Sequence, residues 1–573
     1  MATSSKKKDG WGSSVGVIFA VAGSAVGLAN FLRFPGNVAQ FGGGAFMLAY
    51  FVSLLVIALP VAWAEWTLGR YGGQQGYHSC PGILFSIGKK PIFKYLGLLG
   101  VIIPLVIFMY YVYVEAWCLG YAVNFALDNL HFGEIKDSSE FWLNFVGAYQ
   151  DGSAVGFGVK QVGIYLLIVF ALNMMLIYRG ISKGIEVFCR YALPTLIVIA
   201  IIVLIKVMTL GTPNAAKPMW NIENGLGFMW NPTKVYLEEK LPNGNWTRGD
   251  EIIGRKNLDS KEALVAAEPD TYRLKEMTVW DQLRRPKLWL IAASQVFFSL
   301  SVGFGIVLTY SSYMKKDDDV VLSSLSAASA NEFAEVGLGG LISIPAAYAF
   351  LGAAGVMGQT LFGLGFNVLP MVFSVMPLGA LFGFLFFFLL FLAGVNAAIS
   401  TLQPGVAFLE ENLNIGRKRS VAIIGTITLM GASFVIWFSK DLKALDSLNF
   451  WAADFLIYVI ACIQVIIFGW IFGIDKGFNE LHRGAAIRIP NIFKYVIKYL
   501  CPLFLLTIFA LWLLLDVFGL GGTGIDQRIL DLTGHGDIPP NPVAWMSVGI
   551  IVMLLIFMGL IVASNPRYKK LNY

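Results

Sequence analysis

The sequence predicts an all-α integral membrane protein with twelve transmembrane helices. Three observations carry that prediction: more apolar surface than a soluble fold can hide, apolar windows long enough to cross a bilayer, and cations confined to alternate connections. Of the 573 residues, 57% are hydrophobic and 14% charged, where soluble domains have about 25% charged. Mean hydropathy is +0.68. A helix needs ~20 residues to span the hydrocarbon core. Such windows lie near 14–38, 43–70, 93–126, 161–178 and 185–209. They continue near 288–313, 333–358, 379–411, 419–438 and 448–473, and end near 492–519 and 543–564.

These windows divide the chain into an N-terminal segment (1–13), helices 1–5 (14–210), a long loop (211–287), helices 6–10 (288–473), and helices 11 and 12 with the C-terminus (474–573). Lys6–Lys8, Lys89, Lys90, Lys94, Arg179, Lys183, Lys315 and Lys316 all fall on one set of connections. So do Arg417, Lys418, Arg419, Arg483, Arg488, Arg567, Lys569 and Lys570. Cations gather on the cytoplasmic side of a membrane protein, so both termini are expected there, in a cell (inner) membrane. Residues 1–11 lack the short apolar core and small-residue cleavage site of a signal peptide. The loops 127–160 and 211–287 are expected outside. In the second, Pro242-Asn243-Gly244 marks a turn, and Asn245-Trp246-Thr247 matches a glycosylation acceptor.

Several classes are excluded. A net charge of +6 without a dense basic stripe argues against nucleic acid. Five cysteines without metal spacing and four scattered histidines give metal catalysis no support. No nucleophile–base pair stands out, so no enzyme is expected. A channel needs a continuous polar lining, which these windows lack.

The informative places are where membrane helices are interrupted. The first window contains Gly23-Ser24-Ala25-Val26-Gly27-Leu28-Ala29-Asn30, and the sixth contains Ser299-Leu300-Ser301-Val302-Gly303-Phe304-Gly305. Close packing through small residues is the ordinary explanation. However, paired interruptions at corresponding places in two halves mark a transporter's binding site. Unwound backbone at that depth must find partners in the protein or in a wet cavity. Freed N–H groups at helix N-termini suit a carboxylate, and freed carbonyls suit an ammonium or a hard cation. An amino acid with sodium satisfies both sets.

The segment 11–73 resembles helices 1 and 2 of the neurotransmitter:sodium symporter family, through AVGLANFLRFPGNVAQFGGGAFMLAYF at 25–51 and EWTLGRYGG at 65–73. Further resemblance lies in YYVYVEAW at 110–117, GISKGIEVF at 180–188, SQVFFSLSVGFG at 294–305 and NEFAEVGLGG at 331–340. FLAGVNAAISTLQPGVAFLEE at 391–411 and NFWAADF at 449–455 extend it. The resemblance implies the leucine-transporter fold, with a 5+5 inverted repeat and unwound helices 1 and 6. It implies a sodium-coupled symporter that imports a neutral aliphatic or aromatic L-amino acid by alternating access. Its partners are then that amino acid, sodium and the bilayer, and a homodimer is allowed. Two alternatives stay open: a same-fold carrier for an imino acid or betaine-like zwitterion, and a substrate sensor that does not transport.

By motif position, the resemblance places a first sodium ion at Ala25, Asn30, Ser299 and Asn331, Ser standing where the family's leucine transporter has Thr. A second ion falls at Gly23, Val26, Ala393, Asn396 and Ala397. There Asn replaces a Thr, and Ala replaces a Ser whose hydroxyl is a ligand. The substrate falls among Ala25, Leu28, Ala29, Ile107, Tyr111, Phe298, Ser299, Ser301, Phe304, Ala397 and Thr401. Tyr111 serves the carboxylate, with main-chain N–H groups near Leu28 and Ala29. Gly27 stands where monoamine carriers have Asp, so a monoamine would bury an unpaired charge. Ala29 replaces the usual Gly.

The resemblance also implies gates. Arg33 faces Asn449 where the family has Asp, with Asp446 or Asp454 as substitutes and Gln295 as an additional partner. On the inner side Lys8 faces Glu411, and Tyr313 supports closure. Gly184 and Pro194 match a motif for unwinding of helix 5. Glu335 stands where chloride-dependent members have Ser beside the anion, so its carboxylate is expected to replace chloride. Glu65 and Glu115 are intramembrane acids and functional candidates, although Glu65 also suits a cap on freed amides of helix 6.

Overall fold

Helices follow the apolar windows because a bilayer leaves the backbone no partner but itself. The computed structural model describes residues 11, 14–241, 244–252, 255–359, 362–520, 525–534, 536 and 538–568. The first helix, α1, has two halves, Gly16–Ala25 and Ala29–Gln40, inclined by 41°. Then come α2 (Gly44–Gln74), α3 (Pro91–Ala126), α4 (Val162–Tyr178) and α5 (Ile181–Met208). The next helix, α6, is broken into Pro286–Ser299 and Ile306–Ser311. It is followed by α7 (Val320–Ala353), α8 (Gly379–Leu413) and α9 (Arg417–Trp437). The last three are α10 (Lys440–Leu481), α11 (Ile492–Val517) and α12 (Pro542–Ser564).

Among the described residues, nine helices are long and apolar enough to cross a membrane, and ten if the bent α1 is one span. The expected twelve fall short at two places. One is α4, whose 17 apolar residues lie just under a spanning length. The other is α6, whose break leaves neither half long enough. The seventh helix starts at Val320 rather than near 333, because the Asp319 side chain caps it through the Leu322 N–H at 2.8 Å. The tenth runs on to Leu481, past the expected boundary at 473.

The all-α expectation fails in the 211–287 loop, which folds as a small α/β unit. Strands β1 (Lys234–Lys240), β2 (Trp246–Glu251) and β3 (Tyr272–Met277) form an antiparallel sheet in the order β2-β1-β3. Alternate residues of β1 are buried from Lys234 to Glu238, the period-two pattern of a half-buried strand. The turn expected at 242–244 falls between β1 and β2, where Pro242 and Asn243 lie outside the described residues. The unit is pinned down by Lys234, whose Nζ donates to the Phe228 carbonyl at 3.1 Å. Gln282 adds a bond to the Pro232 carbonyl at 2.8 Å.

The break in α6 depends on backbone that few residues adopt. Ser301, Gly303 and Gly305 have φ of 54°, 81° and 75°. A Cβ at Gly305 would also meet the Gly100 backbone of α3. Gly305→Ala should therefore cost roughly 2–4 kcal/mol from positive φ and overpacking together. Gly416→Ala, with nothing within 4 Å of the added carbon, should stay within about 0.5 kcal/mol. Thermal unfolding of the detergent-solubilised variants measures both, and equal melting temperatures would refute the close-approach argument.

Candidate functional site

The two breaks face each other. The α1 break exposes the N–H groups of Gly27 and Leu28, which have found side-chain acceptors. Gly27 N donates to Asn30 Oδ1 at 2.8 Å, and Leu28 N donates to the Tyr111 hydroxyl at 3.1 Å. Across the gap, the Ser301 hydroxyl donates to the Ser24 carbonyl at 3.0 Å. The Gly303 N–H donates to Glu65 Oε1 at 3.0 Å, so Glu65 holds a freed amide of the α6 break. The Gly27 N–H is satisfied within α1 and the other three groups from another helix, as a non-aqueous surrounding demands.

Beside the breaks runs a buried polar chain. Asn30 Nδ2 donates to Asn331 Oδ1 at 2.8 Å, and Asn331 Nδ2 donates to Ser299 Oγ at 3.2 Å. The same Asn331 amide reaches Glu335 Oε2 at 3.1 Å. Gln295 Nε2 donates to Glu335 Oε1 at 2.5 Å, and Asn37 Nδ2 donates to Gln295 Oε1 at 2.9 Å. Asn30, Gln295, Ser299, Asn331 and Glu335 are all buried. Three of the four residues expected around the first sodium ion are thus brought together with an acid. Ala25 ends the first half of α1 beside them.

Gln295 was expected next to Arg33, and there the structure differs. Its amide is consumed by Glu335 and Asn37, because the α6 register turns it towards α7. Arg33 instead binds Asp454 Oδ1 at 2.8 Å and Ser294 Oγ at 2.9 Å. Asn449 is not its partner: it accepts from the Tyr110 hydroxyl at 3.0 Å and donates to Asp454 Oδ2 at 3.4 Å. The reason is a π-helical stretch, Asn449–Leu456. Its i→i+5 bonding brings residue 454 under residue 449, so the carboxylate replaces the one that position 449 lacks. The Arg33 guanidinium also lies 4.6 Å from the centre of the Phe298 ring. Phe298 and Phe304 meet edge to face at 5.5 Å.

Substrate-pocket candidates fall into two groups. Gly27, Tyr111 and Ala397 converge, since a Cβ on Gly27 would lie 3.1 Å from both the Tyr111 hydroxyl and the Ala397 methyl. Leu28, Ala29, Tyr111 and Phe298 line a cavity of about 50 Å³ that reaches Arg33 and Asn449. Ile107 and Thr401 are buried on α3 and α8, one turn from Tyr111 and Ala397 respectively. The Thr401 hydroxyl is held by the Ala398 carbonyl at 2.7 Å. Glu115, one turn beyond Tyr111, accepts from Asn173 Nδ2 at 3.1 and 3.0 Å.

At the second-sodium positions, Gly23, Val26 and Ala393 are buried or pressed against neighbours. A Cβ on Gly23 would lie 3.7 Å from Asn396 Cγ. Asn396 is fully buried, yet neither its Oδ1 nor its Nδ2 has a hydrogen-bond partner. Ala397 offers no side-chain oxygen.

At the opposite end, Lys8 lies outside the described residues. Glu411 accepts from His78 N at 2.6 Å, Ser79 N at 3.0 Å and Ser79 Oγ at 2.7 Å. Tyr313 stacks on His78, centroids 4.4 Å apart and planes within 2°. Trp11 donates to the Tyr310 carbonyl at 3.0 Å. His78 and Ser79 were missed because they occupy a connection whose composition carries no signal.

The family profile for the sodium:neurotransmitter symporters matches residues 8–138 and 272–516. An uncharacterized sodium-dependent transporter of Methanocaldococcus jannaschii is 26% identical over 516 residues, covering 87% of this chain and 89% of that protein. Another from Haemophilus influenzae is 25% identical and covers 89% and 99%. The sodium- and chloride-dependent glycine transporter 1 of Xenopus laevis is 24% identical and covers 88% and 78%. Among solved structures, MhsT in complex with L-phenylalanine superposes with a TM-score of 0.69 at 24% identity, covering 88% of this chain and 99% of its own. That likeness shows a leucine-transporter-like fold. The chain belongs to the sodium:neurotransmitter symporter family: it is a multi-pass sodium-dependent transporter and not an enzyme.

The gate geometry makes a direct prediction. Asp454→Asn removes the charge from the Arg33 contact, a loss of about 1–2 kcal/mol for a charge-assisted bond. A cysteine placed at Ala29, in a Cys462→Ala background, should then react roughly ten times faster with a membrane-impermeant thiol reagent. Asn449→Ala should change that rate far less. The reverse order would restore Asn449 as the gate residue.

Proposed function

We propose that the protein imports a neutral, aliphatic or aromatic L-amino acid together with sodium by alternating access. The observation that carries this reading is the Leu28 N–H and Tyr111 hydroxyl meeting one turn from the Asn30–Asn331–Ser299 cluster. The first pair presents hydrogen-bond donors to a carboxylate. The second presents amide, hydroxyl and carbonyl oxygens to a hard cation. A carboxylate between them would ligate the ion and couple the two loads. Phe298 and Phe304, with Ile107, Ala397 and Thr401, would enclose a neutral side chain. Main-chain carbonyls at Ala25, Ser299 and Ser301 would receive the ammonium.

The finer architecture belongs to the same proposal. With the short α4 and broken α6 counted, the chain crosses the membrane twelve times. Residues 14–210 and 288–473 form the two inverted halves, and both termini face the cytoplasm. Arg33–Asp454 then closes the outer route, and Tyr313, His78 and Glu411 close the inner one. The L-phenylalanine bound to MhsT favours the amino-acid reading over an imino acid or betaine. Uptake of labelled neutral amino acids into vesicles, driven by an imposed sodium gradient, tests it. Equal uptake with potassium in place of sodium would refute coupling.

An ionised Glu335 would supply the negative charge within the ion site, so replacing chloride by gluconate should leave uptake unchanged. Glu335→Gln removes that charge and should lower uptake at least ~10-fold, the effect of about 1.4 kcal/mol. Loss of uptake in gluconate with the native residue would overturn chloride independence.

Asn396 motivates a second ion. A buried amide without partners is costly, and a sodium ion at Gly23, Val26, Ala393 and Asn396 would engage its oxygen. Asn396→Val should lower the Hill slope of sodium activation towards one. An unchanged slope would remove Asn396 from the ion path.

A further inference from the structure

The beginning of α5 carries a second cavity, unrelated to the breaks in α1 and α6. It measures about 360 Å³ and opens between α4, α5 and α8. Val187, Tyr191 and Thr195 repeat every four residues and form one wall along α5. Phe388 and Leu392, also four apart, form the facing wall on α8. Tyr191 is 70% exposed and Val187 44%, so the wall faces outwards along its length. The Thr195 hydroxyl adds no polarity, because it donates to the Tyr191 carbonyl at 2.8 Å. This is a greasy slot open to the membrane side of the molecule.

Two cations stand at one end of that slot. Arg179 and Lys183 line its mouth, both exposed. Among the described residues neither makes an ion pair or side-chain hydrogen bond. Their basic neighbours differ. Arg190 is paired with Glu186 at 2.9 Å, and Arg417 donates to the Ile177 carbonyl and to Gln403. Arg179 and Lys183 belong to the connections where cations mark the cytoplasmic leaflet, whose surface is rich in anionic lipid.

We propose that this slot binds one anionic phospholipid, its phosphate between Arg179 and Lys183 and an acyl chain along Val187, Tyr191, Thr195, Phe388 and Leu392. The chemistry selects a lipid over a free anion. Two exposed cations in water hold a small phosphate weakly, whereas an acyl chain buries the apolar walls. The lipid would bridge α4, α8 and the π-helical start of α5, Ile181–Glu186. Glu186 of that turn packs directly on Gly16 of α1. A lipid there would restrain α5 beside the first half of α1, on the side opposite the Arg33 gate.

The test uses the full-length, delipidated protein in detergent, with phosphatidylglycerol and phosphatidylcholine titrated separately and bound lipid counted by native mass spectrometry. Phosphatidylglycerol should be retained preferentially. Arg179→Gln with Lys183→Gln should weaken that retention roughly 30-fold, the effect of two surface cations on an anionic lipid. Thr195→Trp fills the far end of the slot without altering charge and should weaken it too, which separates slot binding from a general attraction. Lys89→Gln with Lys90→Gln, two exposed cations elsewhere, should leave it unchanged. Three results would overturn the proposal: equal retention of both lipids, unaltered retention in the Arg179/Lys183 variant, or displacement of the lipid by glycerol 3-phosphate. Counting bound lipid needs no transport, so it stands or falls apart from the sodium-coupled reading.

Discussion

Backbone broken within a membrane has to be satisfied from inside the protein, and the rest of this structure is arranged around that demand. The breaks near Val26–Leu28 and Leu300–Gly305 free buried peptide groups. Tyr111 of α3 and Glu65 of α2 answer two of them, Asn30 answers one from within α1, and Ser301 in the α6 break answers the Ser24 carbonyl of α1. Each of those contacts ties a break to its surroundings, so the breaks are held in place rather than loose. Groups pinned by single hydrogen bonds can also exchange those bonds for a ligand's without leaving a buried group unpaired.

The polar chain from Asn37 to Ser299 performs a second task. It passes through Glu335, a carboxylate fully buried among amides, and connects α1, α6 and α7. A buried carboxyl group needs hydrogen-bond partners, and Gln295 on one oxygen and Asn331 on the other supply them here. An ion between Asn30, Asn331 and Ser299 would therefore meet oxygens already oriented by second partners. Asn396 stands in contrast, since among the described residues its buried amide has no hydrogen-bond partner.

Much of this was legible in the sequence, and for identifiable reasons. Glycine and serine in the middle of apolar windows betray broken helices, because they allow the positive φ that Ser301, Gly303 and Gly305 adopt. Motif position then located Asn30, Ser299, Asn331 and Tyr111, and the structure gathers them. What stayed hidden depends on helical phase. A π-helical stretch cannot be read from composition, so the sequence left Asp446 and Asp454 open as substitutes for Asn449, and the structure pairs Arg33 with Asp454. Gln295 was misplaced for the same reason, a rotation of α6 that spends its amide on α7. The sheet in the 211–287 loop was overlooked because β1 offers only three consecutive apolar residues, Val235, Tyr236 and Leu237, flanked by charges, within a segment that reads as polar.

The central claim is that an alkali ion and a zwitterion share one site, each completing the other's coordination. Linkage makes that claim measurable at equilibrium, because any gain in amino-acid affinity from sodium must equal the gain in sodium affinity from the amino acid. Titrating sodium against the purified protein by calorimetry, with and without a saturating neutral amino acid, reads this coupling directly. The account predicts that the amino acid tightens sodium binding, and that Asn30→Ala abolishes the tightening. Identical sodium affinity in both titrations, with the amino acid independently shown to bind, would contradict it.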